Sequence, residues 1–223
     1  MDSNLLIGIS SLADGSMSKA VTQEEKRTNR SKFLAAYGLK PEQAILVHMT
    51  YDSDDYCRYL SVGAEQAGDG ITQEPSFIAD ALFTNEKNVA FLLPVADCIG
   101  AVLYDPNKQV IGLAHLGRHN LEQNGGAAIV RYMATEFGTD PGVVQVWLSP
   151  AAGRGNYPLH GFDNRSLHEV ALEQLMAAGV NLEHISVDNR DTTTDHSFFS
   201  HSEFLKGNRA SDGRQAVICM MKP

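Results

Sequence analysis

The sequence predicts a domain of mixed α/β or α+β class, and three observations support this prediction. Short apolar runs rich in Val, Ile and Leu alternate along the chain with three stretches that carry helix start and stop signals. The 223 residues fit one domain or at most two small ones. Hydrophobic residues make up 43% and charged residues 20% of the chain, which is typical of a globular protein with a substantial core.

Three helices are predicted from capping residues at their starts and glycines at their ends. In order, they run from the capping box Thr22–Glu25 to Gly38, from just after Asn120 to near Gly138, and from just after Asn164 to Gly179, the last containing the box Ser166–Glu169. On the first helix the apolar residues Phe33, Leu34 and Tyr37 share one stripe, and on the third a core-facing side is predicted for Leu167, Val170, Ala171, Leu175 and Met176.

Eight strands are predicted from runs of β-branched and aliphatic residues bounded by turn residues. They cover residues 5–10, 44–48, 89–94, 99–104, 110–114, 143–148, 185–187 and 216–219. Several of these runs are continuously apolar, so we expect both faces of those strands to be covered.

Charge and cysteine content exclude several classes of protein. The formal net charge is −9, which argues against a surface for nucleic acid or an anionic membrane. Neither a run of about 18 apolar residues nor a basic, apolar leader is present, so no membrane span and no signal peptide are expected. The three scattered cysteines, Cys57, Cys98 and Cys219, do not form a disulfide framework, and a cytoplasmic location is expected.

The most informative segment is a predicted hairpin whose turn lies at residues 105–108. Pro after Asp, followed by Asn, is strong turn chemistry. If Tyr104 lies opposite Gln109, counting outward places Cys98 opposite His115 on the same face, with Cβ atoms roughly 4.5–5.5 Å apart. A thiolate and an imidazole at that distance can share a metal ion, whereas a register shifted by one residue would separate them.

The sequence spacing alone does not exclude purely structural roles for Cys98, His115 and His48. A free cysteine is usually a small buried hydrophobe, and a histidine at a strand end is often a satisfied surface residue. The sixteen residues between Cys98 and His115 match no short zinc-finger spacing. His48 ends another apolar strand in a similar position, and its local sequence favours no role for it.

Several stretches, in order along the chain, resemble one protein family. Residues 29–39 resemble its first helix, 79–84 its "ADALVT", 96–98 its "TADC", 114–117 its "HAGWRG", 149–153 its "GPAIG", and 198–200 with 212–214 its C-terminal region. On these motifs the chain is identified as a divergent member of the laccase-domain family, also called multicopper polyphenol oxidoreductases or peptidoglycan editing factors. The resemblance covers essentially the whole chain.

The resemblance implies a fold and a metal site. The fold would be a single α+β domain, residues 1–223, with β-sheets packed in layers and helices outside, as in cysteine hydrolases of toxin type. The family's metal, usually zinc and sometimes attributed to copper, would lie on His48, Cys98 and His115. Three protein ligands leave a fourth position open, as catalytic zinc requires.

The resemblance also implies a small-molecule substrate. Family members are linked to phosphorolysis of adenosine, inosine or guanosine to the base and ribose 1-phosphate, and to adenosine deamination. On this basis Cys98, Asp97 and His119 are the expected catalytic residues, with Asp97 orienting a ligand or acting as an acid or base. The alternative for Asp97 is a turn or strand cap. The partners expected are a purine nucleoside and phosphate; the residues leave the oligomeric state open, and a monomer is favoured.

This chain departs from the family pattern at basic positions. Where the family has "GWRG", it has Gly117 followed by Arg118-His119-Asn120, and its early "STRxGG" lacks the arginine. Arg118, expected just before the second helix, and Arg154, in a Gly-rich loop, are the proposed substitutes for phosphate binding. The alternative for each arginine is a solvated surface charge. For His201 a surface position is favoured over entry into the site.

Three other functions remain alternatives. A copper-dependent polyphenol oxidase needs an electron route to oxygen, and a single His2Cys site without a second His-rich cluster supports it poorly. A Cys–His hydrolase or amidase would use Cys98 as nucleophile and His115 as base. A non-catalytic relative would keep the metal for stability. Thiol alkylation discriminates between the metal site and the hydrolase, because a metal-bound Cys98 would be protected.

Overall fold

Two β-sheets packed face to face, with helices on both outer faces, make up the structure. The computed structural model describes residues 3–223. The first sheet has the order β1-β10-β5-β2, formed by Leu5–Ile9, Gln215–Met221, Ala90–Val95 and Ala44–Leu46. The second has the order β3-β4-β7-β6-β8-β9, formed by Tyr59–Ser61, Ala81–Thr84, Val110–Leu116, Ile99–Asp105, Gln145–Leu148 and Ile185–Val187.

Five α-helices accompany the sheets, together with short 3-10 turns. They are α1 (Gln23–Ala36), α2 (Arg118–Glu122), α3 (Gly125–Phe137), α4 (Leu167–Ala177) and α5 (His201–Leu205). Within residues 3–223 no helix has the length and apolar character needed to cross a membrane.

Alternation along the strands produces three apolar layers. Phe91 and Val217 of the first sheet meet Leu113 of the second in the layer between the sheets. A Cβ at Gly100 would stand 2.7 Å from a methyl carbon of Val217, so the two sheets are in direct contact there. Helix α1 covers the other face of the first sheet, and α3 and α4 cover the other face of the second. The predicted α+β class with layered sheets is confirmed.

All eight predicted strands are present, with ends that differ by at most two residues. The short strands β3 and β4 and the five-residue helices α2 and α5 were not predicted. Both capping boxes are confirmed; in the first, the Glu25 N–H donates to Thr22 Oγ1 at 3.2 Å and the Thr22 N–H to Glu25 Oε2 at 2.8 Å.

The prediction of one helix after Asn120 was wrong. Two helices, α2 and α3, occupy this stretch, because Asn124 adopts a left-handed conformation (φ 58°) between them. A Cβ at Gly125 would lie 2.6 Å from the Asn120 carbonyl oxygen, so glycine is required where the chain turns. The prediction that Met176 faces the core was also wrong, since its side chain is exposed.

The predicted register of the β6–β7 hairpin was wrong by two residues. His115 lies opposite Gly100, and Asp105 lies opposite Val110. The reason is that the four-residue loop lies one position later than predicted, at 106–109, where the Asp105 carboxylate accepts the N–H groups of Asn107 and Lys108 at 2.8 and 3.1 Å. Because side chains alternate with a period of two, this shift keeps position 98 on the same side as His115.

Candidate active site

A cavity of about 670 Å³ opens where the two sheets meet, and all three predicted ligands line it. His48 follows β2 of the first sheet, and His115 is in β7 of the second. Cys98 lies where the chain crosses from β5 in one sheet to β6 in the other. Three segments distant in sequence therefore contribute one side chain each to the same space.

Gly117 shapes the space between Cys98 and His115. A Cβ at this glycine would lie 2.8 Å from Cys98 Sγ and 3.2 Å from His115 Nε2, so the thiol and the imidazole border one small void that a side chain would fill. A soft sulfur and an imidazole nitrogen are donors that zinc and copper accept. Among residues 3–223, however, no three His, Cys, Asp or Glu side chains are drawn together as a metal cluster. The donor types and the void at Gly117 fit an ion, with His48 in the wall of the same cavity.

Burial controls the protonation of these groups. It raises the pKa of the Cys98 thiol to about 12, and the charge of Asp97 acts in the same direction. It lowers the pKa of His115 to about 4 and also lowers that of His48. Both imidazoles are therefore neutral at pH 7, the form that binds metals. A raised thiol pKa is the opposite of what an unassisted cysteine nucleophile needs.

A buried ion pair supports two of these segments. The Arg58 guanidinium contacts both carboxylate oxygens of Asp80, at 2.7 and 3.1 Å, and donates to the Thr50 carbonyl at 2.9 Å. The Asp80 carbonyl in turn accepts the N–H of His115 at 2.8 Å. The loop after His48 is thus tied to the strand that carries His115.

Asp97 lines the cavity, but its carboxylate is engaged in structural hydrogen bonds. It accepts Thr192 Oγ1–H at 2.9 Å and the Ser202 N–H at 2.7 Å, and the residue itself is buried with φ 72°. Its carbonyl accepts the Ala152 N–H at 2.8 Å. Asp97 therefore joins the crossover between the sheets to two other loops and to helix α5.

The remaining predicted residues are divided between the cavity and the surface. Arg118 and His119 line the cavity, as the first two residues of α2 rather than residues preceding a helix. The His119 ring stacks on Tyr56 at 4.8 Å, and its Nδ1 lies 3.1 Å from Glu122. Arg154 is not among the residues that line the cavity; its side chain is 62% exposed and lies 4.0 Å from Glu169.

Two groups in the cavity wall were not assigned from the sequence. His201, expected at the surface, lines the cavity while staying partly exposed, and its Nδ1 lies 2.7 Å from Asp212. The same carboxylate contacts the Arg214 guanidinium at 2.6 Å. Arg30, on α1, is the second group. The match of residues 29–39 and 212–214 to family motifs was the available signal, but it did not show that these side chains face the cavity.

Sequence comparisons with known proteins find a matching family model and several relatives. The family model described as multi-copper polyphenol oxidoreductase laccase matches residues 11–165 and 160–222. A purine nucleoside phosphorylase of Corynebacterium glutamicum is 25% identical over 211 residues, which cover 86% of this chain and 79% of that protein. A purine nucleoside phosphorylase of Geobacillus stearothermophilus is 28% identical over 167 residues, which cover 62% of this chain and 58% of that protein.

Solved structures show the same fold. The hypothetical protein YfiH of Bacillus licheniformis matches with a TM-score of 0.86 at 20% identity, over 98% of this chain and 93% of that chain. YlmD of Geobacillus stearothermophilus matches with a TM-score of 0.85 at 21% identity, over 99% of this chain and 93% of that chain.

Proposed function

Because the chain belongs to the multi-copper polyphenol oxidoreductase laccase family, with relatives named purine nucleoside phosphorylase, we propose that it cleaves purine nucleosides with phosphate. The observation that carries the proposal is the shared cavity, which combines neutral imidazoles, a thiol and four arginines. In the reaction, a phosphate oxygen attacks C1′ of the ribose and the bond from C1′ to N9 breaks. The purine leaves with the electron pair and takes a proton, and ribose 1-phosphate forms.

The phosphate would bind to Arg118 and Arg214. Both guanidinium groups line the cavity, and both lower the pKa of Cys98 against the larger effects of burial and Asp97, so they act on the same part of the site. Arginine binds phosphate through paired N–H groups. This assignment replaces Arg154, which lies outside the cavity, with Arg214.

The proton for the departing purine would come from His201. Its Nδ1 is held 2.7 Å from the Asp212 carboxylate, which leaves Nε2 as the ring nitrogen available to a bound base. A carboxylate behind an imidazole fixes the orientation of the ring and the nitrogen that faces the ligand. His119, stacked on Tyr56 at the cavity wall, provides an aromatic surface for the purine ring.

A transition-metal ion would be held by Cys98 and His115, with His48 completing the set. When bound, it would supply a Lewis acid that polarises an oxygen ligand and brings a water pKa toward neutrality. Zinc suits this donor set and copper is the second choice. The chain's own contribution is to keep both imidazoles neutral and to leave room beside Gly117.

The test is a turnover assay on the purified full chain loaded with zinc or with copper. Adenosine, inosine and guanosine are incubated with and without phosphate, and free base, ribose 1-phosphate and inosine are separated by chromatography. We expect free base that depends on phosphate, its loss in Cys98→Ser, and its retention in Cys57→Ser. Absence of nucleoside turnover with either metal would refute the proposal. Inosine formed from adenosine without phosphate would instead indicate deamination.

A further inference from the structure

The cavity is strongly cationic in a protein of net charge −9. Six cationic side chains line it, Lys19, Lys26, Arg27, Arg30, Arg118 and Arg214, against two carboxylates, Glu74 and Asp97. Four of the six, Lys19, Lys26, Arg27 and Arg30, come from α1 and the loop before it, and we call them the α1 wall. On α1, residues 26 and 27 lie one turn before residue 30, so their side chains share a face of the helix.

Arg30 is the centre of the α1 wall. It is only 6% exposed, and its guanidinium donates to the Met17 and Gly70 carbonyl oxygens at 2.8 Å each. Over residues 3–223, the ion pairs of 4.0 Å or less include none of Arg30, Lys26 and Arg27, and Glu74 acts on Lys26 only from a greater distance. A buried guanidinium without a counter-charge is costly, and an anionic ligand would offset that cost.

The α1 wall and the proposed phosphate site belong to neighbouring segments that meet at Met17, whose carbonyl accepts from Arg30 and whose N–H donates to the Arg214 carbonyl, each at 2.8 Å. Arg30 bonds to Gly70, which packs against Leu46 at the end of β2, just before His48. Arg214 instead shares Asp212 with His201, and α5 is joined to Asp97, the neighbour of Cys98, through Ser202. A neutral nucleoside with one orthophosphate supplies a single anion for six cationic side chains that face only two carboxylates.

We propose that the α1 wall binds a phosphate carried by the substrate, so that this chain prefers a purine nucleoside monophosphate to the unphosphorylated nucleoside. This inference rests on the proposed function for the identity of the base. The wall contributes substrate affinity and selectivity, while the reaction takes place beside Arg118, Arg214 and His201.

The experiment measures binding to the full chain by titration calorimetry, with adenosine, adenosine 5′-monophosphate and orthophosphate as separate ligands. We expect the monophosphate to bind about tenfold more tightly than adenosine, as charge-assisted hydrogen bonds predict. The double variant Lys26→Gln/Arg27→Gln, which leaves buried Arg30 in place, should lose this preference and keep adenosine affinity. Lys32→Gln removes a positive charge from α1 outside the cavity and should keep the preference.

Two outcomes would overturn the inference. One is equal affinity for adenosine and its monophosphate in the unaltered protein. The other is loss of orthophosphate binding in the double variant, which would make the α1 wall the site of the co-substrate. Because binding is measured without turnover, a retained preference in a protein that cleaves no nucleoside would count against the proposed function alone.

Discussion

Gly117 occupies a position where any side chain would displace two functional groups. A Cβ there would stand 2.8 Å from Cys98 Sγ and 2.9 Å from His115 Cε1, closer than real Cβ contacts allow. The residue follows β7 and caps α2, and its N–H donates to the Asn120 side chain at 2.9 Å. The absence of a side chain thus preserves the space between thiol and imidazole.

We expect Gly117→Ala to lose metal binding while the protein stays folded, because the added methyl group fills the space that an ion would use. Metal stoichiometry after zinc loading and dialysis is the measurement, with circular dichroism to verify folding. Gly155→Ala is the matched control, since a Cβ at Gly155 meets nothing within 4 Å. Full zinc binding by the Gly117 variant would show that the metal lies elsewhere.

At the scale of elements, one buried side chain joins three helices. Gln174 on α4 accepts the Gly126 N–H of α3 at 2.9 Å and donates to the Leu121 carbonyl of α2 at 2.8 Å. Both partners are backbone groups at helix ends, which the interrupted α2–α3 segment leaves without partners in a helix. Gln174 therefore replaces hydrogen bonds that a continuous helix would have made.

Replacing Gln174 with Leu should destabilise the protein by about 1–3 kcal/mol, because two buried polar groups lose their partners. Urea denaturation followed by circular dichroism measures the change in unfolding free energy. Met176→Gln, an exposed change on the same helix, should remain within about 0.5 kcal/mol of the unaltered protein. Equal stability of the two variants would contradict the role given to Gln174.

Elements defined by contacts between residues close in the sequence can be predicted from it. Elements defined by contacts between residues far apart in the sequence cannot. The Thr22 and Ser166 capping boxes involve residues three apart, so the amino-acid sequence alone locates the starts of these two helices. The hairpin register depends on how Asp105 folds the loop, which composition does not show. The hairpin pattern singled out Cys98 and His115 as candidate ligands, and the ordered family pattern added His48. Arg30 reaches the cavity through contacts with residues 13 and 40 positions away, and no local pattern reveals such contacts.

At the scale of the molecule, the candidate site lies across the boundary between the two sheets. The first sheet supplies His48, the second supplies His115, and Cys98 lies between the last residue of β5 and the first of β6. A ligand that contacts all three connects layers that otherwise meet through apolar side chains.

Zinc should therefore protect both sheets from hydrogen exchange, rather than a single loop. At a free zinc concentration about one hundred times Kd, the gain in stability would be about 2.7 kcal/mol. Exchange measured by mass spectrometry with zinc and with chelator should show added protection in β2 and in β7. Protection confined to one sheet would contradict joint binding by His48 and His115, and Gly117→Ala should show no zinc effect.

The position of the crossover between the sheets has a consequence for the rates of unfolding and proteolysis. If the sheets must part before the chain unravels, a ligand held by both has to leave first, so occupancy slows the unfolding rate itself. Resistance to proteolysis would then depend on the supply of the ligand and on how slowly it dissociates. Molecules with an occupied site would therefore resist unfolding and proteolysis for longer than molecules with an empty site.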